Sequence, residues 1–109
     1  MTDKRLLIVS GTHGNEINPI WAVDKFRKSI NLECKDRNLE FILGNPNAYE
    51  KGLRYIDVDL NRSFNVEKTK FNENLYEISR AELLLENFGI NSPKPCHIAI
   101  DLHTTTSSM

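Results

Sequence analysis

Three short apolar segments, separated by segments with helical spacing, constrain the fold most strongly. "RLLIVSG" (5–11) and "LEFILGNP" (39–46) are strand-like runs that end at glycine, and "CHIAIDLHT" (96–104) is a third. Residues 18–30 and 73–90 carry apolar side chains at the spacing of one helix face. The order of strand, helix, strand, loop, helix and strand predicts an α/β fold with a largely parallel central sheet and flanking helices.

Within the two predicted helices, the apolar residues define the side expected to be buried. In the first helix Trp21 and Phe26 are predicted to lie in the core, and Pro19 is acceptable in the first turn. In the second helix Gly89 is the predicted stop. The predicted stripe of that helix consists of Leu75, Ile78, Ala81, Leu85 and Phe88. Residues 47–66 show no clear helical period and are predicted to form an ordered loop.

Length and charge limit the classes of function. The 109 residues form one domain at most, and a net charge of −1 gives no electrostatic reason to bind nucleic acid or an acidic membrane surface. The N-terminal apolar run, residues 6–9, is too short for a signal peptide, so a cytoplasmic location is expected. Cys34 and Cys96 are then most simply reduced thiols, with a disulfide as the minor alternative.

The segment "GTHGNE" (11–16) places His13 and Glu16 where the first strand gives way to a helix. In a parallel sheet His103, after the last strand, reaches the same edge. Two imidazoles and a carboxylate with an open fourth position form the ligand set of a catalytic zinc site. The alternative is a polar turn, because a glutamate near a helix N-terminus is favourable by itself.

The segment "RYIDVDLNRSF" (54–64) offers a second constellation. Arg54, Asn61 and Arg62 are donors suited to a carboxylate, and Asp57 and Asp59 could hold these arginines or orient a metal-ligating histidine. A solvated charged loop is the alternative. The apolar side chains between the charges favour instead a loop packed on the domain with its polar groups on one side.

The final segment, "DLHTTTSSM" (101–109), contains a further pair of polar residues. Asp101 and His103 share one face of an extended strand, so Asp101 could support the site. The alternative is a frayed terminus rich in hydroxyl groups. His97 is expected to be structural rather than a ligand, and neither cysteine has a matched catalytic base.

Taken together, "GTHGNE", "RYIDVDLNRSF" and "DLHTTTSSM", in this order, resemble the aspartoacylase/succinylglutamate desuccinylase family, and the aspartoacylase branch in particular. That family is related in fold to zinc carboxypeptidases. The resemblance covers nearly the whole chain. It implies that residues 1–109 are the N-terminal portion of a zinc-hydrolase catalytic domain of the zinc carboxypeptidase-like kind, with the C-terminal remainder absent.

The resemblance also implies roles for single residues. One Zn²⁺ per chain would be held by His13, Glu16 and His103. Arg54 would polarise the scissile carbonyl and contribute to substrate binding, while Asn61 and Arg62 would bind the carboxylate of the substrate. Asp59 would be a supporting residue, as Asp101 could be from its place on the strand.

The implied reaction is hydrolysis of the amide bond of an N-acyl amino acid, such as N-acetyl-aspartate, to a carboxylate and a free amino acid. The family's general-base glutamate lies beyond the segment that matches, so this chain by itself is expected to be inactive. Thr104 stands where aspartoacylases often have Asn, which leaves the acyl group and amino acid open. The family also implies a homo-oligomer.

Two other hypotheses remain open. The first is a non-catalytic α/β remnant or interaction module without bound zinc, which predicts an exposed apolar patch where further sheet elements would pack. The second is a carboxypeptidase-like peptidase that shares the metal site. The "DLNR" segment (59–62) favours the acyl-amino-acid branch over the peptidase.

Overall fold

A parallel three-stranded sheet forms the centre of the fold. The structure is a computed structural model that describes residues 5–29 and 39–104. The strands are β1 (Leu6–Ser10), β2 (Leu39–Leu43) and β3 (Ile98–Asp101). Their order is β2-β1-β3, and β1 pairs in parallel with both neighbours. The predicted α/β fold with a parallel sheet and flanking helices is confirmed.

The register of the sheet brings the carboxyl ends of all three strands to one edge. Ser10 is paired with Leu43, and Val9 is paired with Asp101. The ladder continues beyond the strands, because Gly44 N–H donates to the carbonyl of Ser10 at 2.7 Å and Leu102 N–H donates to that of Val9 at 2.9 Å. The segments that follow the three strands therefore emerge side by side, where open α/β sheets bind their ligands.

Helices occupy the connections. They are α1 (Ile17–Ser29), α2 (Pro46–Lys51) and α3 (Tyr76–Phe88), and a short 3-10 helix spans Leu60–Arg62. Within residues 5–29 and 39–104, no helix has the length and apolar character needed to cross a membrane.

Helix α2 corrects the prediction of an uninterrupted loop over residues 47–66. Asn45 caps its N-terminus, since the side-chain oxygen accepts the N–H of Ala48 at 3.1 Å. Pro46 occupies the first helical position, and Gly52 ends the helix with φ +67°. Capping Asn, Pro at the first position and Gly at the end are the local signals of a short helix, and a helix of six residues is too short to show a hydrophobic period.

Helix α1 corrects the predicted core. Trp21 is 65% exposed and Phe26 is 47% exposed, whereas Pro19 and Val23 are buried. A sheet of three strands covers only a narrow stripe of α1, so the apolar side chains beside that stripe remain in solvent. Ile30, the last residue of the segment predicted as this helix, lies outside the described residues.

Helix α3 lies within the predicted segment, residues 73–90, but it begins only at Tyr76 and has a narrower buried stripe. Ile78 and Ala81 are buried, while Leu85 is 45% exposed. Gly89 ends the helix as predicted, but with extended φ and ψ of −74° and 171° rather than a left-handed cap. Its N–H still donates to the carbonyl of Leu85 at 2.8 Å.

The buried surface of α3 also carries a carboxylate. Glu77 is completely buried, and it accepts the side-chain N–H of Asn45 at 2.7 Å. It also accepts three consecutive backbone N–H groups, those of Ile56, Asp57 and Val58, at 2.7, 2.9 and 3.0 Å. In return, the Asp57 carboxylate accepts the N–H of Tyr76 at 2.8 Å and so caps α3. We call this reciprocal set of bonds the α3 clasp.

The α3 clasp makes stability depend on pH. Burial opposes ionisation of Glu77, but the donors of Ile56, Val58, Asn45 and Asp57 outweigh it and hold its pKa below the ordinary 4.5. Between the two pKa values the unfolded chain binds more protons than the folded chain. The contribution of Glu77 to stability is therefore fully present above pH 4.5 and is lost as the pH falls through its folded pKa.

We expect the difference in free energy of unfolding between the wild type and Glu77→Gln to be constant from pH 7 to pH 5. It should shrink below about pH 4.5, where the wild type loses the stabilisation that the variant lacks. Urea unfolding at a series of pH values measures this difference. Glu86→Gln, an exposed position on α3, controls for the loss of one negative charge. A difference that stays constant to pH 3 contradicts the prediction.

Candidate metal centre

The turn after β1 requires glycine at two positions. Gly11 has φ +71°, and a Cβ there would lie 2.4 Å from a methyl group of Leu43. Gly14 N–H donates to the carbonyl of Arg54 at 3.1 Å, and its Cα faces the end of α2. A Cβ at Gly14 would lie 2.3 Å from the carbonyl carbon of Ala48 and 2.5 Å from the Leu53 oxygen. The turn is therefore pressed against backbone that cannot easily move.

Gly14→Ala should lower the free energy of unfolding by about 3 kcal/mol, at the upper end of the typical cost of overpacking, because backbone must be displaced. Gly52→Ala is the matched control. A Cβ there meets nothing within 4 Å, so only the left-handed backbone opposes it, at a cost of about 1 kcal/mol. Denaturant titration compares the two variants. Equal losses of stability would refute close packing at Gly14.

Three side chains from two distant parts of the chain converge at the edge of the sheet. His13 and Glu16 come from the turn after β1, and His103 follows β3. The Nδ1 atom of His13 lies 2.8 Å from Glu16 Oε2, and that of His103 lies 3.2 Å from Glu16 Oε1. One ligand atom from each residue lies within 4.8 Å of those of the other two. The structure thus brings together the three residues that the sequence predicted as metal ligands.

Each imidazole also has an aspartate at Nε2, the ring nitrogen that does not face Glu16. Asp59 Oδ1 lies 2.8 Å from His13 Nε2, and Asp101 Oδ2 lies 3.0 Å from His103 Nε2. The other oxygen of Asp101 accepts the hydroxyl of Thr12 at 2.8 Å. Both rings therefore direct Nδ1 towards Glu16, and their orientation is fixed by acceptors on the opposite side.

The charges of the site are coupled. Burial opposes ionisation of Glu16, but the backbone N–H of Thr104 and the neighbouring His13 and His103 outweigh it and lower the Glu16 pKa. Burial likewise opposes ionisation of Asp59, yet its bonds to His13 and to the N–H of Asn61 keep the Asp59 pKa below its ordinary value. Burial opposes protonation of His103, but the Asp101 and Glu16 carboxylates prevail and raise the His103 pKa.

In the metal-free protein, His103 should titrate above its ordinary pKa of 6.5, and Asp101→Asn should lower that value. The reason is that the substitution removes the carboxylate paired with Nε2. The measurement is an NMR titration of the histidine ring signals. Asp24→Asn removes a carboxylate that pairs with Lys28 on α1 and should leave the titration unchanged. The same His103 pKa in the wild type and in Asp101→Asn would contradict the assignment.

The predicted substrate-binding residues lie next to Asp59. Arg54 Nη2 is 3.7 Å from Asp59 Oδ2, and about half of the Arg54 side chain is exposed. Asn61 and Arg62 belong to the 3-10 helix and are exposed. Its first turn is capped by Asp59, whose Oδ1 accepts the Asn61 N–H at 2.9 Å. Arg54 thus stands beside the metal centre, on the side held by Asp59, and Asn61 and Arg62 follow Asp59 in the short 3-10 helix.

Several residues that matter here were not predicted. Thr12 supports Asp101, Gly14 sets the turn, and Glu77 and Asn45 hold the loop. In the sequence, "GNP" (44–46) indicates only the end of a strand, and Glu77 is one of several glutamates on a predicted helix. Asp57 was a candidate partner for arginine or histidine, but it caps α3 instead.

The third histidine lies away from the site. His97 sits at the amino end of the sheet, where its Nδ1 accepts the N–H of Arg5 at 2.9 Å, which agrees with a structural role. Cys96 is a free thiol, and Cys34 lies outside the described residues.

The donor set fits zinc. Two imidazole nitrogens and a carboxylate are ligands that Zn²⁺ accepts, and three protein ligands leave a position open. The aspartates beyond the imidazoles are the partners that zinc-bound histidines usually have. Three ligand atoms already within 4.8 Å of one another need little rearrangement to share one ion.

Comparison with known proteins places this fold and site in a family. The model of the succinylglutamate desuccinylase/aspartoacylase catalytic domain matches residues 2–109, and the chain belongs to this family. It is 57% identical over 109 residues to a probable aspartoacylase of Prochlorococcus marinus strain MIT 9515. It is 62% identical over 111 residues to another from strain MIT 9312. The whole chain is covered in both, but it spans only 37% of each relative's length.

Solved structures agree with the assignment. The structure of murine aminoacylase 3 superposes with a TM-score of 0.69 at 26% identity, covering 94% of this chain and 36% of that one. A succinylglutamate desuccinylase from Chromobacterium violaceum gives a TM-score of 0.64 at 29% identity, covering 92% and 32%. The fold described above is therefore the fold of the corresponding third of these proteins.

Proposed function

We propose that residues 1–109 form the zinc-binding and carboxylate-binding portion of a zinc-dependent amidohydrolase that cleaves the amide bond of an N-acyl amino acid. The observation that carries the proposal is the convergence of His13, Glu16 and His103, with an aspartate behind each imidazole. A zinc ion bound there would supply Lewis-acid polarisation of a carbonyl and would lower the pKa of a water molecule.

The chain's own residues have distinct roles in this proposal. Glu16 contributes the negative charge of the ligand set, and Asp59 and Asp101 fix the two imidazoles. The Arg54 guanidinium, beside Asp59, stabilises negative charge that develops on the scissile carbonyl oxygen. Asn61 and Arg62 hold the carboxylate of the amino-acid part, since an arginine can grip it with two parallel bonds.

The setting of the protein is also part of the proposal. The substrate is a small N-acyl amino acid of the N-acetyl-aspartate kind, the location is cytoplasmic, and the active form is a homo-oligomer. Residues 1–109 contribute the N-terminal portion of the catalytic domain. By themselves they should show little or no turnover, because loss of a general base alone typically costs ~10²–10⁴-fold in rate.

Native mass spectrometry of the chain after incubation with zinc should show one zinc per chain. His13→Ala and His103→Ala should each abolish stoichiometric binding, because two ligands do not hold the ion against competing water and buffer. His97→Ala is the matched control, since it removes an imidazole at the opposite end of the sheet and should retain the metal. Full zinc occupancy in His13→Ala at wild-type affinity would refute this site.

The reaction can be tested in a chimaera in which residues 1–109 replace the matching third of the Prochlorococcus marinus MIT 9312 relative. We expect zinc-dependent hydrolysis of N-acetyl-aspartate that exceeds hydrolysis of a peptide. Arg54→Ala should lower kcat by about 10²–10³-fold, the cost typical for loss of an oxyanion donor. Arg62→Ala should mainly raise KM.

The comparison of substrates also separates the hypotheses. A chimaera that prefers the peptide would support a carboxypeptidase-like peptidase. An Arg54→Ala variant with wild-type kcat would remove Arg54 from the reaction. Lys51→Ala, an exposed cation on α2, is the control for loss of one positive charge near the loop.

A non-catalytic interaction module is the second candidate, and one observation favours it. All four residues of the edge strand β3 are exposed, with Ile98 at 53% and Ile100 at 47%. Such an apolar edge is expected to associate with another element. A chain that binds no zinc in the mass spectrum would favour this candidate over the hydrolase.

A further inference from the structure

We propose that Glu77 is a positioning residue for the metal centre, because it fixes the backbone that presents Asp59 to His13. The inference rests on the proposed zinc site, and it assigns a role to a buried residue that none of the proposed chemical steps uses. Glu77 does not contact the ligands. It acts through Asp59.

Glu77 accepts hydrogen bonds from four donors. Both carboxylate oxygens are used twice, one by the N–H groups of Asp57 and Val58 and the other by Ile56 N–H and the side chain of Asn45. Three consecutive N–H groups that point at one carboxylate fix the path of the backbone over residues 56–58. Only an ionised acceptor satisfies four donors in a fully buried position.

The fixed segment leads directly into the site. Asp59 follows Val58, and its Oδ1 lies 2.8 Å from His13 Nε2. At the other end, the carbonyl of Arg54 accepts the N–H of Gly14, in the turn that carries His13. The loop is thus held at Arg54 by the turn and at residues 56–58 by Glu77, which leaves Asp59 little freedom to move away from the imidazole.

A second observation supports the same role. Arg80, one turn after Glu77 on α3, donates from Nε to the carbonyl of Gly44 at 2.7 Å and from Nη2 to that of Leu43 at 2.9 Å. Asn45, which follows, donates to Glu77. Helix α3 therefore locks the end of β2 and the Asp59 loop to one another, although it contributes no ligand itself.

The test is Glu77→Gln in the 109-residue chain. A glutamine offers one acceptor oxygen, so two of the four donors face an NH₂ group instead. Amide hydrogen exchange at residues 56–58 should accelerate by at least about tenfold where the bonds are lost. Zinc affinity, measured by competition with a chromophoric chelator, should fall by about tenfold, at the lower end of the loss expected when the support of a ligand is disturbed.

Ala81→Gly separates positioning from general stability. It destabilises α3 at a buried position, and Ala81 takes no part in the four hydrogen bonds that Glu77 accepts. Below its unfolding temperature, this variant should bind zinc as tightly as the wild type. If it weakens zinc binding as much as Glu77→Gln at an equal loss of Tm, the positioning role is overturned.

A swap of the two partners provides the rescue. In Asn45→Asp/Glu77→Gln, the new amide donates to the new carboxylate, and the amide oxygen keeps the N–H groups of Asp57 and Val58. Zinc affinity should return to within about threefold of the wild type, since only one of the four bonds is missing. This variant also decides the matter if Glu77→Gln alone does not fold. A folded double variant that still binds zinc tenfold more weakly than the wild type overturns the inference.

Failure of the proposed function gives a different result. If the wild type binds no zinc, the metal site is refuted, and the role of Glu77 is decided by the ¹⁵N chemical shift of His13 Nε2. That shift reports the bond to Asp59, and it should change in Glu77→Gln. An unchanged shift, or amides at 56–58 that remain protected, overturns the inference whether or not zinc binds.

Discussion

Parallel pairing of β1 with β3 is the interaction on which the site depends. It aligns Val9 with Asp101, so two segments almost ninety residues apart leave the sheet beside each other. The first carries His13 and Glu16, and the second carries His103. A parallel ladder can form only after the intervening chain has crossed over. The ligand set therefore exists only in the folded sheet, and any change that shifts this register separates the ligands.

Around this pairing, carboxylates hold the imidazoles, the start of α3 and the backbone of the Asp59 loop in position. Asp59 and Asp101 orient imidazoles, Asp57 caps α3, and Glu77 satisfies a run of backbone N–H groups. Each is placed against a donor, which explains why the pKa values of Glu77 and Asp59 lie below their ordinary values despite burial. Because an ionised acceptor bonds more strongly than a neutral one, these contacts make the loop rigid without a large apolar core.

Unlike these polar groups, which have partners, many apolar side chains of the chain are exposed. Trp21 on α1 and the isoleucines of β3 are largely exposed, as is Ile90 after α3 at 89%. The chain spans only 37% of the length of two of the curated relatives that it matches. Polar organisation at the site is thus more complete than apolar burial, since hydrogen bonds between distant segments hold the site residues in place.

The sequence by itself determined the three strands, helices α1 and α3, the parallel α/β class and the three candidate metal ligands that converge at the edge of the sheet. These depend on short-range patterns: apolar runs ended by glycine, helical spacing, and His and Glu three residues apart. Only the tertiary structure decided that Trp21 is largely exposed and Phe26 about half exposed. It also decided that Asp57 caps α3 and that Glu77 rather than any other glutamate holds the loop. Those outcomes depend on which groups meet across the fold and on how many strands cover each helix. Neither is encoded in the spacing of nearby residues.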